Sequence, residues 1–198
     1  ADLGVALSSP WNISAKNETV CETAEKLAKL PFVAQPGEGW VYGYATDILG
    51  CIVEKVAAQS LDEFLRKRIT GPLGMHDTHF FLPLKDRERL AVVYASKKAV
   101  KNGKETKDYV AERSFADGPY VYGPRKNFSG GAGLVSTARD YSRFLEMIRN
   151  GGIFEGKRIL KPETVKLMTT AQTGGGPTSL RGMGFSYGFE TTERAGAN

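Results

Sequence analysis

The amino-acid sequence predicts an α+β fold that consists mainly of helices, with a small β-hairpin and few other strands. Apolar residues recur at helical spacing behind recognisable N-caps, an Asn-Gly pair lies between two alternating segments, and a short aromatic segment near the end is typical of a strand. The chain has 198 residues, of which 41% are hydrophobic and 25% are charged. These values are ordinary for a globular protein of one domain, or for part of a larger one.

The first two predicted helices lie on either side of a Pro-Gly-Glu-Gly turn. The first begins at Thr19, where Glu22 completes the spacing of a capping box, and Pro31 is expected to end it. The second follows Tyr44 and carries one broad apolar stripe. The stripe comprises Ile48, Leu49, Ile52, Val53 and Val56.

Three further helices are predicted from caps and turn residues. Ser60 caps the third helix, which the Gly-Pro-Leu-Gly-Met sequence at residues 71–75 interrupts. The Ser-Thr pair at 136–137 caps the fourth, and residues 150–152 end it with types that tolerate left-handed geometry. Its apolar face is predicted to contain Ala138, Tyr141, Phe144, Leu145 and Ile148. Pro162 begins a last short helix.

The strands are predicted in the middle and near the end of the chain. Asn102-Gly103 lies in the lysine-rich segment SKKAVKNGKETKD and predicts a β-hairpin, which a loop follows up to about residue 128. MGFSYGFET, at 183–191, is interpreted as a strand. The net charge of +5 arises partly from the hairpin lysines. That segment lacks the Arg and interleaved aromatics of a nucleic-acid-binding surface, so no nucleic-acid partner is predicted.

The sequence has neither a membrane segment nor a visible signal peptide. No apolar run approaches the ~18 residues of a membrane-spanning helix, and the opening ADLGVALSSPW has no basic region before an apolar one. Cys21 and Cys51 lie in apolar helical patterns and are interpreted as small core residues. The sequence does not decide whether the two form a disulfide, nor in which cellular compartment the protein lies.

Several familiar catalytic patterns are missing. His76 and His79 are the only histidines, and no Cys, Asp or Glu cluster at ligand spacing accompanies them, so they are predicted to be surface residues and no metal site is expected. No Gly-x-Ser-x-Gly elbow is present. The glycines of SGGAGL, at 129–134, have neither dinucleotide-binding spacing nor a following P-loop lysine.

The segment WVYGYATDILG, at 40–50, is unusual for the start of a helix. Tyr42 and Tyr44 flank Gly43 where Ser, Thr or Asp would normally serve as the cap. Gly43 is expected to let the backbone turn closely past this position. The two phenols either pack against neighbours such as Trp40, or one of them has a chemical role.

Three segments together carry a family resemblance. PGEGWVYGYATDILGCIVEKVA, ITGPLGMHDTHF and SGGAGLVSTARDYSRFLEMIRNGG occur in this order. They resemble the serine β-lactamase and penicillin-binding-protein-like superfamily, and most closely its class C-like branch, which includes esterases and peptidases. The resemblance extends from about Thr19 to about Gly188 and implies a β-lactamase/transpeptidase-like α+β fold, represented mainly by its helical lobe.

The resemblance implies roles for the two tyrosines. The family uses a Ser-x-x-Lys pair, a tyrosine in Tyr-x-Asn and a Lys/His-x-Gly strand, which places the catalytic tyrosine at Tyr42. A serine hydroxyl becomes a good nucleophile only when a base takes its proton, and a phenol beside a lysine ammonium relays a proton more readily than its ordinary pKa of about 10 suggests. Tyr44 replaces the asparagine. It is therefore expected to bind substrate, and its lack of an amide favours an esterase over an efficient β-lactamase.

The rest of the family's apparatus is missing from residues 1–198. The sequence contains no Ser-x-x-Lys, since SAKN at Ser14 has its lysine one residue too early, and no Lys-Thr-Gly or His-x-Gly. The expectation is a single partial domain without the nucleophile segment and the C-terminal sheet strands. Such a chain is predicted to be inactive alone, while the parent protein hydrolyses a small ester or amide without a cofactor. The alternatives are a non-catalytic fragment or pseudoenzyme that binds a peptide or cell-wall fragment, and a β-lactamase or D-Ala-D-Ala peptidase.

Overall fold

The computed structural model describes residues 16–32, 34–35, 37–102, 104–113, 118–173 and 183–192. The helices are α1 (Val20–Leu27), α2 (Ala45–Ala57), α3 (Leu61–Leu65), α4 (Gly118–Tyr122), α5 (Ala138–Arg149) and α6 (Pro162–Thr169). A π-helical turn, Arg66–Thr70, continues α3, and a 3₁₀ helix spans Leu84–Arg89. The strands are β1 (Tyr94–Lys101), β2 (Lys104–Arg113), β3 (Ile153–Phe154), β4 (Lys157–Arg158), β5 (Met183–Phe185) and β6 (Glu190–Thr192).

The predicted N-caps are confirmed. At α1 the Thr19 hydroxyl accepts from the Glu22 N–H at 3.2 Å, and the Glu22 carboxylate accepts from the Thr19 N–H at 2.7 Å. Ser60 and Thr137 cap α3 and α5 through their hydroxyls. Helix α1 ends at Leu27, four residues before Pro31, because the N–H groups of Lys29 and Leu30 bond three residues back and tighten the chain into a turn.

The hairpin at Asn102 is also confirmed. Strands β1 and β2 are antiparallel, with Lys101 opposite Lys104 and Tyr94 opposite Arg113. The segment that follows is not all loop, since α4 forms within it. Near the end, the predicted single strand is instead a hairpin, β5–β6, because the Ser186 N–H bonds the Phe189 carbonyl and reverses the chain.

The core of the described residues is divided into three clusters. The largest contains Leu73, Met75, Met147 and Phe154 and joins the turn after α3 to α5 and β3. A second contains Leu61, Phe80 and Phe81. The third contains Val20 and Cys21 of α1, against which Tyr44 and Cys51 pack.

The apolar faces predicted for α2 and α5 are only partly buried. In α2 the buried residues are Asp47 and Gly50, while the predicted stripe is largely exposed, with Val56 at 83%. In α5 the fully buried apolar residue is Met147, and Tyr141 and Leu145 are exposed. Periodicity correctly predicts both helices, but it does not show which side of a helix the rest of the described chain covers.

Cys21 and Cys51 form a disulfide that joins α1 to α2. The interpretation of this pair as small core residues is therefore incomplete, although Cys21 is buried. The two helices pack so that the Cα atoms lie 4.8 Å apart, within the range that a disulfide spans. Helical periodicity does not reveal this distance, which is why the sequence left the pairing open.

None of the described helices is long and apolar enough to cross a membrane.

Candidate functional site

Tyr42 lies on the segment that leads into α2, and its side chain is 78% exposed. Two residues earlier, the Trp40 ring packs on Phe185 of β5, with ring centroids 4.8 Å apart. Most of the Tyr42 surface is therefore accessible, whereas Trp40 anchors the segment to the β5–β6 hairpin. The Tyr42 residue therefore lies at the surface of the described chain, on a segment that an aromatic contact holds in place.

Tyr44 has a different environment. It is the N-cap residue of α2 but makes no side-chain capping bond, and its carbonyl accepts from the N–H groups of Asp47 and Ile48 at 3.0 Å each. Its half-buried ring packs against Val20 and Cys21 of α1. The helix therefore begins with an aromatic residue that packs on its neighbour helix, and the part of the ring that stays accessible lies two residues from Tyr42.

A buried carboxylate connects the start of α2 to the SGGAGL loop, and the sequence reasoning missed it. Asp47 is 5% exposed and accepts from the Ser129 hydroxyl at 2.6 Å and from the Gly131 N–H at 3.2 Å. Ser129 is also buried, and its Oγ accepts from the Ala132 N–H at 3.2 Å. An acidic residue in a first helical turn usually interacts with the helix dipole, so no local signal indicates a partner 82 residues away.

The glycines of this loop allow close approach to α2. A Cβ at Gly130 would lie 2.2 Å from the Thr46 carbonyl oxygen, and one at Gly131 would lie 2.7 Å from Oδ2 of Asp47. By contrast, a Cβ at Gly43 would meet no described atom within 4 Å. A close approach to α2 therefore requires glycine at 130 and 131, while the described residues give no packing reason for glycine at 43, and its expected place beside the catalytic site stays a prediction.

A second buried carboxylate, Asp140 in the first turn of α5, fixes the segment that contains the two histidines. It accepts from the Asp77 N–H at 2.7 Å and from the Thr78 hydroxyl at 2.9 Å. The backbone of His79 pairs in both directions with Val135, at 3.0 and 2.9 Å. These bonds give the HDTH segment a structural role.

The Asp77 side chain forms an ion pair with Arg89. The guanidinium donates to both carboxylate oxygens, at 2.6 and 2.8 Å. This bidentate bond lowers the pKa of Asp77 below its usual value.

No group of three or more His, Cys, Asp or Glu side chains within the described residues could hold a metal ion. His76 is exposed and His79 half-buried.

A profile of the Beta-lactamase family matches residues 5–197, and the chain belongs to this family. It is 37% identical over 144 residues to an uncharacterised protein of Mycobacterium tuberculosis, in a match that covers 73% of the chain and 33% of that protein. It is also 32% identical over 176 residues to esterase EstB of Burkholderia gladioli, and this match covers 85% of the chain and 42% of the esterase.

Solved structures confirm the β-lactamase/transpeptidase-like α+β fold. The octameric penicillin-binding protein homologue of Pyrococcus abyssi superposes with a TM-score of 0.62 at 26% identity, over 96% of this chain and 38% of that one. The chain thus spans less than half the length of each of these three proteins.

Proposed function

We propose that the parent protein is a serine hydrolase that cleaves a small ester or amide through an acyl-enzyme, with Tyr42 as the proton relay. The observation that carries the proposal is the exposed phenol of Tyr42 on a backbone anchored at Trp40, in a chain of the Beta-lactamase family. The serine and lysine that Tyr42 serves lie outside residues 1–198, and these residues form a single partial domain.

The proposed chemistry uses Tyr42 twice. The phenolate takes the proton of the serine hydroxyl as the serine oxygen bonds to the substrate carbonyl carbon. When the tetrahedral intermediate collapses, the bond to the leaving group breaks and the phenol returns the proton to that group. The oxygen of a water molecule then bonds to the acyl carbon as the bond to the serine oxygen breaks, and a proton of the water ends on that oxygen, which restores the serine hydroxyl.

An ester is the favoured substrate, and Tyr44 is proposed to border it. The ring lies two residues from Tyr42 and is only partly buried, so its accessible part can contact an apolar acyl or alcohol group. It provides no side-chain amide to hold a substrate amide. The esterase among the relatives supports this preference.

The central experiment measures acylation of the full-length protein by a p-nitrophenyl acyl ester. Tyr42→Phe should lower the acylation rate about 10²–10⁴-fold, which is the usual contribution of general acid–base catalysis. Tyr122→Phe is the matched control, since Tyr122 is 73% exposed and lies in α4. Full activity of Tyr42→Phe would refute the relay.

Three further results would change the assignment. Robust ester turnover by the isolated 198-residue chain would refute the proposal that the nucleophile lies outside it. A full-length reading frame without Ser-x-x-Lys would instead favour a non-catalytic protein that binds a peptide or cell-wall fragment. Faster turnover of a β-lactam or a D-Ala-D-Ala peptide than of esters would identify a β-lactamase or peptidase.

A further inference from the structure

The first turn of α2 is attached to the 129–131 segment by a buried, charged acceptor. Oδ1 of Asp47 accepts hydrogen bonds from the Ser129 hydroxyl and from the Gly131 N–H. The Oγ of Ser129 in turn accepts one from the Ala132 N–H. Hydrogen bonds to an ionised acceptor are about twice as strong as neutral ones. The loop therefore holds α2 through a carboxylate at the end nearest to Tyr42.

The same turn is continuous with the tyrosine segment. The Asp47 N–H donates to the Tyr44 carbonyl at 3.0 Å. Gly130 lies against the Thr46 carbonyl so closely that no Cβ fits between them. A displacement of the Asp47 carboxylate from the loop would therefore move Tyr44, and with it the backbone that carries Tyr42.

We infer that Asp47 is a positioning residue, which fixes the Tyr42 phenol relative to the SGGAGL loop. This inference rests on the proposed function, because it gives Asp47 a role only if Tyr42 relays a proton. Asp47 is buried beneath the loop and acts through the backbone of α2. Geometry of this kind matters in catalysis because a displacement of about 1 Å can cost about a hundredfold in rate.

The chain contains a matched control for this carboxylate. Asp140 is likewise buried in a first helical turn and accepts from one hydroxyl and one backbone N–H. It lies in α5 and joins that helix to the HDTH segment. Asp47→Asn and Asp140→Asn therefore disturb similar hydrogen bonds, but only the first lies beside the tyrosine segment.

The experiment is a double-mutant cycle on the full-length protein, with kcat for a p-nitrophenyl ester and the thermal midpoint measured for each variant. Asp47→Asn should lower kcat about tenfold in the wild-type background, with KM nearly unchanged, and less than about twofold in the Tyr42→Phe background. Asp140→Asn should lower the thermal midpoint but leave kcat within about twofold in both backgrounds. If Asp47→Asn does not fold, Ser129→Ala replaces it in the cycle, because it removes one hydrogen bond and retains the carboxylate. Its loss in kcat should be smaller, and should again be larger in the wild-type than in the Tyr42→Phe background.

The outcomes separate the two proposals. If Tyr42→Phe is fully active, the relay fails and the positioning role fails with it. If Tyr42→Phe is impaired but Asp47→Asn lowers kcat equally in both backgrounds, or no more than Asp140→Asn does, the relay stands and the positioning role is refuted.

Discussion

The Ser129 hydroxyl donates a 2.6 Å hydrogen bond to the Asp47 carboxylate, which joins two segments that are 82 residues apart in the chain. Both residues are almost completely buried. An unpaired carboxylate at this depth would be costly, because its hydration is lost without compensation. The pair therefore fixes the loop against α2, and the glycines beside Ser129 make the contact sterically possible.

Gly130→Ala should destabilise the protein by about 1–3 kcal/mol, the usual cost of overpacking. The new Cβ would lie 2.2 Å from the Thr46 carbonyl oxygen, so that the loop or α2 must move. The free energy of unfolding in urea measures the effect. Gly43→Ala is the control: its Cβ meets no described atom, so stability should change by no more than about 0.5 kcal/mol. Equal losses for the two variants would contradict the close contact.

Removal of the Cys21–Cys51 disulfide should destabilise the protein by about 3–4 kcal/mol. The bond closes a loop with a sequence separation of 30, and a cross-link of this span restricts the unfolded chain by that amount. Urea unfolding with and without a thiol reductant measures the loss. In the Cys21→Ser/Cys51→Ser double variant the reductant should have no effect. Identical unfolding curves of the wild-type protein with and without reductant would refute a stabilising disulfide.

Arg89→Ala should raise the pKa of Asp77 towards its ordinary value, because the bidentate guanidinium that lowers it is removed. Carboxyl chemical shifts during an NMR pH titration report the change. Arg87→Ala, which removes a pair with Glu88 instead, should leave the Asp77 pKa unaltered.

The same pair determines a pH dependence of stability. Since the Asp77 pKa is lower in the folded chain, the pair stabilises the fold above the unfolded pKa of about 3.9. That contribution is lost as the pH falls through the lowered folded-state pKa. The pH dependence of unfolding below about pH 4 should therefore be weaker in Arg89→Ala. Both groups are substantially exposed, so the difference should be small. An unchanged Asp77 titration in Arg89→Ala would show that the pair does not form in solution.

Local patterns were sufficient for the predicted N-caps and for the hairpin at Asn102, but not for every element or helix end. The capping box at Thr19, the hydroxyl cap at Ser60 and the Asn-Gly turn at 102 each depend on residues only a few positions apart. The family could also be predicted, because three segments that resemble it occur in order along the chain, and its profile matches residues 5–197. Tyr42 was selected as a candidate from that resemblance, and its chemical role stays a prediction.

The sequence by itself determined the capped starts of α1, α3 and α5, the hairpin at Asn102 and the family of the chain, since these depend on short-range chemistry and on motif order. Only the tertiary structure decided that Cys21 and Cys51 form a disulfide, that the Asp47 carboxylate accepts a hydrogen bond from the Ser129 hydroxyl, and that Tyr44 packs on α1. Each of these contacts joins residues that are 23 or more positions apart. Their distances follow from how α1, α2 and the SGGAGL loop pack together, and a periodic pattern contains no information about that packing.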